Sequence, residues 1–301
     1  MINYLICGLS VSSELLLPGH SIVETASAEV NVLRGQVPAP CSNEHTSTPY
    51  QFIGDSTVLF RAPGVVRFQI IDGKEILFEL EAFGSDEQAV SFLLSTVIGI
   101  VLHQRQLMVL HASAVMVDGQ ALAICGPSGA GKSTLAAAIC QAGGHFVSDD
   151  ISVISRESVG GYSVRPDGRQ HRLWADSIQQ LSLAGRKTEV VRAGWDKFHV
   201  EPADNALPVA VPLKAVIVLC PASSPSPATL SRLSPADAVA LLDRNVFRRQ
   251  LAERMGRSAQ LFAQIAGLIA DVPVLRFERL ADFARIQDDV RQVLNQLERC
   301  K

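Results

Sequence analysis

One eight-residue stretch constrains this chain more than any other. Residues Gly126–Ser133 read GPSGAGKS and match the pattern G-x-x-x-x-G-K-[ST] at every defined position. Glycines at both ends allow successive backbone N–H groups to turn inward and form a concave nest for phosphate oxygens. In such a loop the lysine, here Lys132, reaches the β- and γ-phosphates, and the hydroxyl of Ser133 can bind Mg²⁺. The stretch therefore predicts a nucleotide-binding loop.

The sequence on either side supports this prediction, because the pattern is informative only between a strand and a helix. Residues 121–125 form an apolar run of strand length that follows a turn-forming Asp-Gly pair. Residues 133–142 are rich in helix formers and end at a pair of glycines. We expect the nucleotide to contact the whole loop and the residue after it. The predicted nucleotide-binding residues are Gly126, Pro127, Ser128, Gly129, Ala130, Gly131, Lys132, Ser133 and Thr134.

Composition narrows the class of protein. A chain of 301 residues with 48% hydrophobic and 19% charged residues is typical of a globular protein with one or two domains. The net charge of −3 gives no electrostatic support for nucleic-acid binding. Six scattered cysteines without a C-x-x-C pair favour a reducing environment over disulfides or zinc. Residues 1–17 lack a basic region and the apolar stretch 89–102 is too short to span a bilayer, so we expect a cytoplasmic protein without a membrane partner.

The succession of elements predicts two domains. Strand-like runs at 56–61, 65–71 and 75–81, with a hairpin turn at residues 72–73, precede a helix from Ser85 to about Arg105. Residues 1–106 are thus expected to form a small strand-rich α+β domain, and residues 107–301 an α/β domain with the loop. The elements predicted in the second domain are strands at 107–117, 121–125, 145–148, 151–155, 162–165, 213–219 and 274–277 and helices at 133–142, 234–249, 259–270 and 281–298.

Two carboxylates follow the next predicted strand. Asp149 and Asp150 come directly after residues 145–148, and carboxylates at this end of a strand beside a phosphate loop hold Mg²⁺ and orient the nucleophile. Adjacent side chains on a regular strand face opposite ways, so the chain must bend if both serve one site.

His111 lies in an apolar strand one hairpin before the loop, where a histidine is either a packed core residue or part of the site.

A tract of basic residues lies downstream of the acidic pair. In a chain of negative net charge, the tract indicates a basic rim that meets phosphates or an acidic substrate, or ordinary surface charge. Its seven cations are Arg165, Arg169, Arg172, Arg186, Lys187, Arg192 and Lys197.

Three segments together resemble the catalytic domain of the HPr kinase/phosphorylase family. Leu110–Ala112, Gly126–Ser133 and Gly144–Asp150 follow the order and spacing of that family's LHG segment, GxSGxGKS loop and GHxLVxDD segment. The resemblance covers about residues 107–155. It implies a fold akin to phosphoenolpyruvate carboxykinase, with the loop on a mostly mixed sheet, and it implies ATP-dependent phosphorylation of a protein serine.

The resemblance also implies roles for single residues. Lys132 and Ser133 would contact phosphate and Mg²⁺, Asp149 would be the base that accepts the serine proton, and Asp150 would be a metal-side carboxylate. His111 would be an active-site partner near them. The two aspartate roles stay open to exchange, because adjacent carboxylates titrate as a pair.

The chain departs from that family outside these segments. Residues 164–174 stand where the family has a glycine-rich signature, and residues 1–106 do not resemble its N-terminal domain. The chain looks more like the stand-alone HPr-kinase-like proteins, such as lasso peptide kinases, which phosphorylate a serine of a precursor peptide. The expected function is therefore a Mg·ATP-dependent serine kinase acting on a peptide or small protein, with self-association into a homo-oligomer left open.

Two other functions remain open from the sequence. One is a kinase of a small-molecule hydroxyl, and the other is a regulatory protein that senses ATP without transfer. The pair Asp149 and Asp150 favours an enzyme, because nucleotide binding alone needs no base. We hypothesise that Arg172 and Lys197 of the basic tract contact the acceptor, with a phosphate-clamping role for Lys197 as the rival idea.

Overall fold

The computed structural model describes all of the chain except residues 19, 21, 25–26, 40–48, 168–169, 192–193, 195, 203–208, 223–227, 281 and 300–301. The architecture is mixed α/β, with two mixed sheets and one small antiparallel sheet. The chain forms two compact units: Met1–Leu107 with Gln250–Arg257, and Met108–Arg249 with Ser258–Lys301. The domain division after residue 106 stays a prediction. Within the described residues, no helix is both long and apolar enough to cross a membrane.

Seven strands of the first unit form one mixed sheet. The hairpin predicted at residues 72–73 is confirmed, because Asp72 and Gly73 both have positive φ and join two antiparallel strands. The three predicted strands of this region are confirmed as the fifth, sixth and seventh, whereas the first three strands carry no clear signal in the sequence. The strands are β1 (Ile2–Ile6), β2 (Leu9–Ser13), β3 (Val30–Arg34), β4 (Tyr50–Ile53), β5 (Thr57–Ala62), β6 (Val66–Ile71) and β7 (Glu75–Leu80), in the sheet order β1-β2-β3-β7-β6-β5-β4.

A helical segment follows this sheet in the chain. Ser85 caps it, since its side chain accepts a hydrogen bond from the Gln88 backbone while the Gln88 side chain bonds back to Ser85. The predicted single helix is confirmed in extent, but a π-helical turn at Leu93–Val97 separates α1 (Asp86–Phe92) from α2 (Ile98–Gln104).

The second unit is built on a nine-stranded mixed sheet. Its strands are β8 (Met108–Leu110), β9 (Ala112–Val117), β10 (Gln120–Cys125), β11 (His145–Ser148), β12 (Ser152–Arg156), β13 (Tyr162–Arg165), β17 (Val211–Pro221), β18 (Thr229–Arg232) and β19 (Val274–Arg279). The order is β11-β9-β10-β17-β13-β12-β8, with β19 parallel to β17 and antiparallel to β18. A separate antiparallel sheet contains β14 (His171–Trp174), β16 (Lys197–Val200) and β15 (Lys187–Val190), none of which was predicted.

Three predictions about the second unit are wrong in their bounds. The helix expected over 281–298 begins only at Ile286, after a 3₁₀ turn at Phe283–Arg285. The strand expected over 107–117 is broken at His111, which lies between β8 and β9. The helix expected to reach about residue 249 ends at Arg244, because residues 245–247 extend along β8, where Phe247 N–H donates to Val109 O at 2.9 Å. The helices of this unit are α3 (Lys132–Gln141), α4 (Ala175–Gln180), α5 (Pro235–Arg244), α7 (Ser258–Asp271) and α8 (Ile286–Arg299). From its second residue onward, α6 (Arg249–Arg254) belongs to the first unit.

The core of the second unit surrounds the helix that follows the glycine-rich loop. Leu135 and Ile139 of α3 are fully buried in one cluster with Ile124 of β10, Phe277 of β19 and Val293 of α8. Burial of apolar surface on this scale is the main stabilising contribution to such a unit. The loop between β10 and α3 is therefore anchored at both ends in the core.

Candidate active site

The glycine-rich loop, residues 126–131, connects β10 to α3 as predicted. Gly126 has φ 144°, and a Cβ there would lie 3.0 Å from the Cβ and carbonyl oxygen of Leu219, so the close approach of β17 requires a glycine. Gly131 caps α3 with a left-handed φ of 86°. The N-terminal end of α3 thus opens directly onto the loop, which is the arrangement that attracts anions.

Lys132 is folded over its own loop. Its Nζ donates to the carbonyl oxygens of Gly126 at 2.9 Å and Pro127 at 3.2 Å, and the residue is 8% exposed. Burial lowers the pKa of Lys132, and the positive charge of Lys197 adds to that effect while Asp150 opposes it. The amino group of Lys132 is therefore held against its own loop by two carbonyl oxygens.

Asp149 is the buried centre of a hydrogen-bond network. Its Oδ1 accepts from Ser133 Oγ at 2.9 Å and from Ser113 Oγ at 2.6 Å, and its Oδ2 accepts from the Arg172 backbone N–H at 2.8 Å. The residue is only 2% exposed, so these donors replace water around the carboxylate. The hydroxyl of Ser133, which is predicted to bind Mg²⁺, is thus hydrogen-bonded to the first of the two aspartates.

Asp150 lies at the bend that two cooperating aspartates require. Its φ of 75° turns the chain away from the strand, and its carboxylate meets His111 Nε2 at 3.1 Å and Arg172 Nη1 at 3.0 Å. Burial alone would raise the pKa of Asp150, but the hydrogen bond from His111 and the charges of Arg172 and Lys197 hold it well below its ordinary value. Asp150 is therefore a carboxylate at neutral pH. The chain bends at this residue, as it must if both aspartates serve one site.

Asn245 links His111 to the glycine-rich loop. Its backbone oxygen accepts from His111 N–H at 2.7 Å, and its side-chain Oδ1 accepts from Gly126 N–H at 2.9 Å. The edge of the His111 ring also packs on Phe247, with ring centroids 6.4 Å apart. These contacts hold His111 beside Asp150 and connect it, through Asn245, to the first residue of the loop.

The basic tract does not act as one patch. On β14 and β16, Arg172 and Trp174 lie opposite His199 and Lys197, so these four side chains share one face of the sheet. Lys187 pairs with Val200 on the other face, where its Nζ lies 3.3 Å from the centre of the Phe198 ring. Arg169 and Arg192 lie outside the described residues. Within the described part of the chain, Arg165 and Arg186 form no ion pair with Asp149 or Asp150. The Thr134 hydroxyl lies 3.0 Å from Ser177 Oγ.

Other residues that support the site carried no usable signal. Asp167 is fully buried, and its carboxylate accepts from the Asp149 backbone N–H at 2.9 Å, yet its Pro-Asp-Gly context is typical of an exposed turn. Asn245 fell inside a predicted helix. A strand-and-helix pattern does not report such partners, because they are distant in sequence and their role depends on the folded chain.

Comparisons with known proteins add little to this geometry. No known family model and no curated protein sequence matches the chain. Among solved structures, the chain is similar to the HPr(Ser) kinase/phosphatase from Coxiella burnetii, with 14% sequence identity and a TM-score of 0.33 over 63% of this chain and 98% of that chain. A likeness of this size carries no argument about function, so the functional assignment depends on the contacts of the site itself.

His171 lies behind the site, on the face of β14 opposite Arg172. It is 3% exposed, its ring packs edge-on against Phe146 at 4.4 Å, and its Nδ1 has no hydrogen-bond partner among the described residues. Burial lowers the pKa of His171 from 6.5 to about 4, although the negative charge of Asp149 opposes the change. With Arg186 it also lines a cavity of about 620 Å³.

We predict that His171 makes the protein sensitive to acid. The folded-state pKa of about 4 lies below the ordinary value of 6.5, so the unfolded chain takes up the proton first. The contribution of the buried, neutral His171 to the free energy of unfolding is present in full above about pH 6.5. It is lost as the pH falls towards 4, by up to about 3 kcal/mol. Urea unfolding of the parent and of His171→Phe at pH 7 and pH 4.5 should show a smaller loss in the variant, and an equal loss in both proteins would contradict this account.

Proposed function

We propose that this chain is a Mg·ATP-dependent kinase that transfers the γ-phosphoryl group to a serine hydroxyl of a peptide or small protein. One observation carries the proposal: the hydroxyl of the loop residue Ser133 and both aspartates meet within a single network, through the 2.9 Å contact of Ser133 with Asp149 and the contacts of Arg172 with both carboxylates. A protein that only senses ATP needs the loop but no second carboxylate held by a histidine.

The donors at Ser133 and Asp149 fit Mg²⁺. Both are hard oxygen ligands, and magnesium in nucleotide sites is held by one or two such groups together with phosphate oxygens and water. When bound, the ion would neutralise charge that develops on the phosphates.

We assign the base role to Asp150 and the metal role to Asp149, which reverses the assignment implied by the sequence resemblance. Asp149 already accepts bonds from two hydroxyls and one N–H, and one of those hydroxyls is the expected metal ligand. The Asp150 side chain is 29% exposed and is oriented by His111 and Arg172. A carboxylate with a low pKa is a weak base, which is sufficient where transfer passes through a loose transition state and depends mainly on positioning.

The acceptor is proposed to approach along the face of β14 and β16 that carries Arg172 and Lys197. The positive charge of Lys197 helps to lower the pKa of Asp150. Trp174 lies opposite Lys197 in the strand register and is 46% exposed. A cation beside an exposed aromatic ring suits a peptide with an anionic group near its serine. A precursor peptide of the lasso type is the proposed acceptor, supported by the sequence resemblance alone.

We predict different defects for the two aspartates. Asp150→Asn should bind Mg·ATP nearly as tightly as the parent but transfer about 10²–10⁴-fold more slowly, because it loses a positioned base. Asp149→Asn should weaken nucleotide binding in the presence of Mg²⁺ more than in its absence. Calorimetry with and without Mg²⁺, together with single-turnover transfer, separates the two roles. The opposite pattern would restore the first assignment, and normal transfer by both variants would reject the kinase proposal.

Lys197 and Lys187 provide a matched pair for testing the acceptor face, because they lie on opposite faces of the same small sheet. Lys197→Ala should raise KM for a serine peptide about tenfold and leave KM for ATP little changed, since a charged contact contributes about 1.5–3 kcal/mol before solvent screening. Lys187→Ala should change neither value. Comparing a peptide that ends in a free serine carboxylate with its amidated form tests whether Lys197 contacts that carboxylate. A fall in kcat alone would instead assign Lys197 to the phosphate.

A further inference from the structure

A buried arginine contacts the glycine-rich loop from the side of β19 and α8. Arg279, at the end of β19, is 4% exposed, and its Nη2 donates to the carbonyl oxygen of Ala130 at 3.2 Å. Its Nη1 donates to Asp289 Oδ2 at 2.6 Å. Asp289 lies in the first turn of α8 and is 2% exposed, so both charges are withdrawn from solvent.

This contact determines the direction of one peptide group in the loop. In a trans peptide, the carbonyl oxygen of one residue and the N–H of the next point in opposite directions. Because Arg279 holds the Ala130 oxygen on its own side, the N–H of Gly131 points away from Arg279. The same guanidinium excludes a side chain at residue 131, since a Cβ there would lie 2.5 Å from Arg279 Nη2 and φ is +86°.

Stability alone is a poor reason for such a pair in this location. Taking two charges out of water costs several kcal/mol each, and well-packed apolar residues of similar volume often stabilise a core equally well or better. Apolar neighbours such as Phe277 and Val290 belong to the surrounding cluster. What apolar side chains cannot do is hold a carbonyl oxygen in one direction.

We propose that Arg279 and Asp289 are positioning residues for the nucleotide phosphates: Asp289 fixes the guanidinium of Arg279, and Arg279 sets the 130–131 peptide so that Gly131 N–H faces the bound phosphate. This inference rests on the proposed function only in requiring that the loop binds a nucleotide. Among the described residues, neither side chain makes a hydrogen bond or ion pair with Lys132, Asp149 or Asp150. Removal of the pair should therefore weaken phosphate binding rather than alter acceptor recognition.

The test uses two variants and a neighbouring control in the full chain. Asp289→Asn removes the charge that fixes Arg279. Arg279→Lys keeps a positive charge near Asp289 but lacks the fork that reaches both Asp289 and Ala130. Asp288→Asn makes the same chemical change one residue away on α8, where the side chain is 66% exposed and pairs with Arg291. Binding of Mg·ATP, Mg·ADP and adenosine is measured by calorimetry, with thermal unfolding measured in parallel.

We expect the dissociation constants of Mg·ATP and Mg·ADP to rise about tenfold in Asp289→Asn and Arg279→Lys and less than twofold in Asp288→Asn, with adenosine binding unchanged. If Asp289→Asn does not fold, Arg279→Lys decides. Parental nucleotide affinity in a folded Arg279→Lys protein would overturn the inference and leave the kinase proposal intact. Failure of the parent itself to bind Mg·ATP would overturn both.

Discussion

The rest of the site depends on the hydrogen bonds that the buried carboxylate of Asp149 accepts. A carboxylate that is 2% exposed must be hydrogen-bonded, and its three donors come from β9, α3 and β14. Satisfying one charge therefore brings together β9, the helix after the loop and the small three-stranded sheet. Ser133 and Arg172 are placed by this requirement, and through Arg172 the network extends to Asp150.

The backbone conformation of Asp150, the second carboxylate, costs free energy. A left-handed φ at a residue other than glycine costs about 1–2 kcal/mol, and Asp150 adopts one at 75°. The contacts with His111 and Arg172 hold this strained residue in place. The strain separates two adjacent carboxylates into different environments, one closed around the loop serine and one partly open to solvent, which is the arrangement expected when two groups have different roles.

Local patterns in the sequence were sufficient for some of this architecture. The loop, its flanking strand and helix, the hairpin at Asp72 and Gly73 and the pair of aspartates all depend on residues close together in the chain, so their signals are local. The small sheet of β14, β15 and β16 was not predicted, because its strands are only four residues long and lie in a polar region. Asn245 could not be recognised either, since its partners lie more than a hundred residues away and its own context is helical.

We propose that the loop lysine and the paired aspartates form one phosphoryl-transfer site. The most direct measurement is transfer of the γ-phosphoryl group from Mg·ATP to a serine peptide by the parent and by Lys132→Ala at saturating ATP, with circular dichroism as a check on folding. We expect transfer by the parent and a loss of about 10²-fold or more in the variant, because the charge that follows the phosphates into the transition state is removed. Near-normal transfer by a folded Lys132→Ala protein would contradict it.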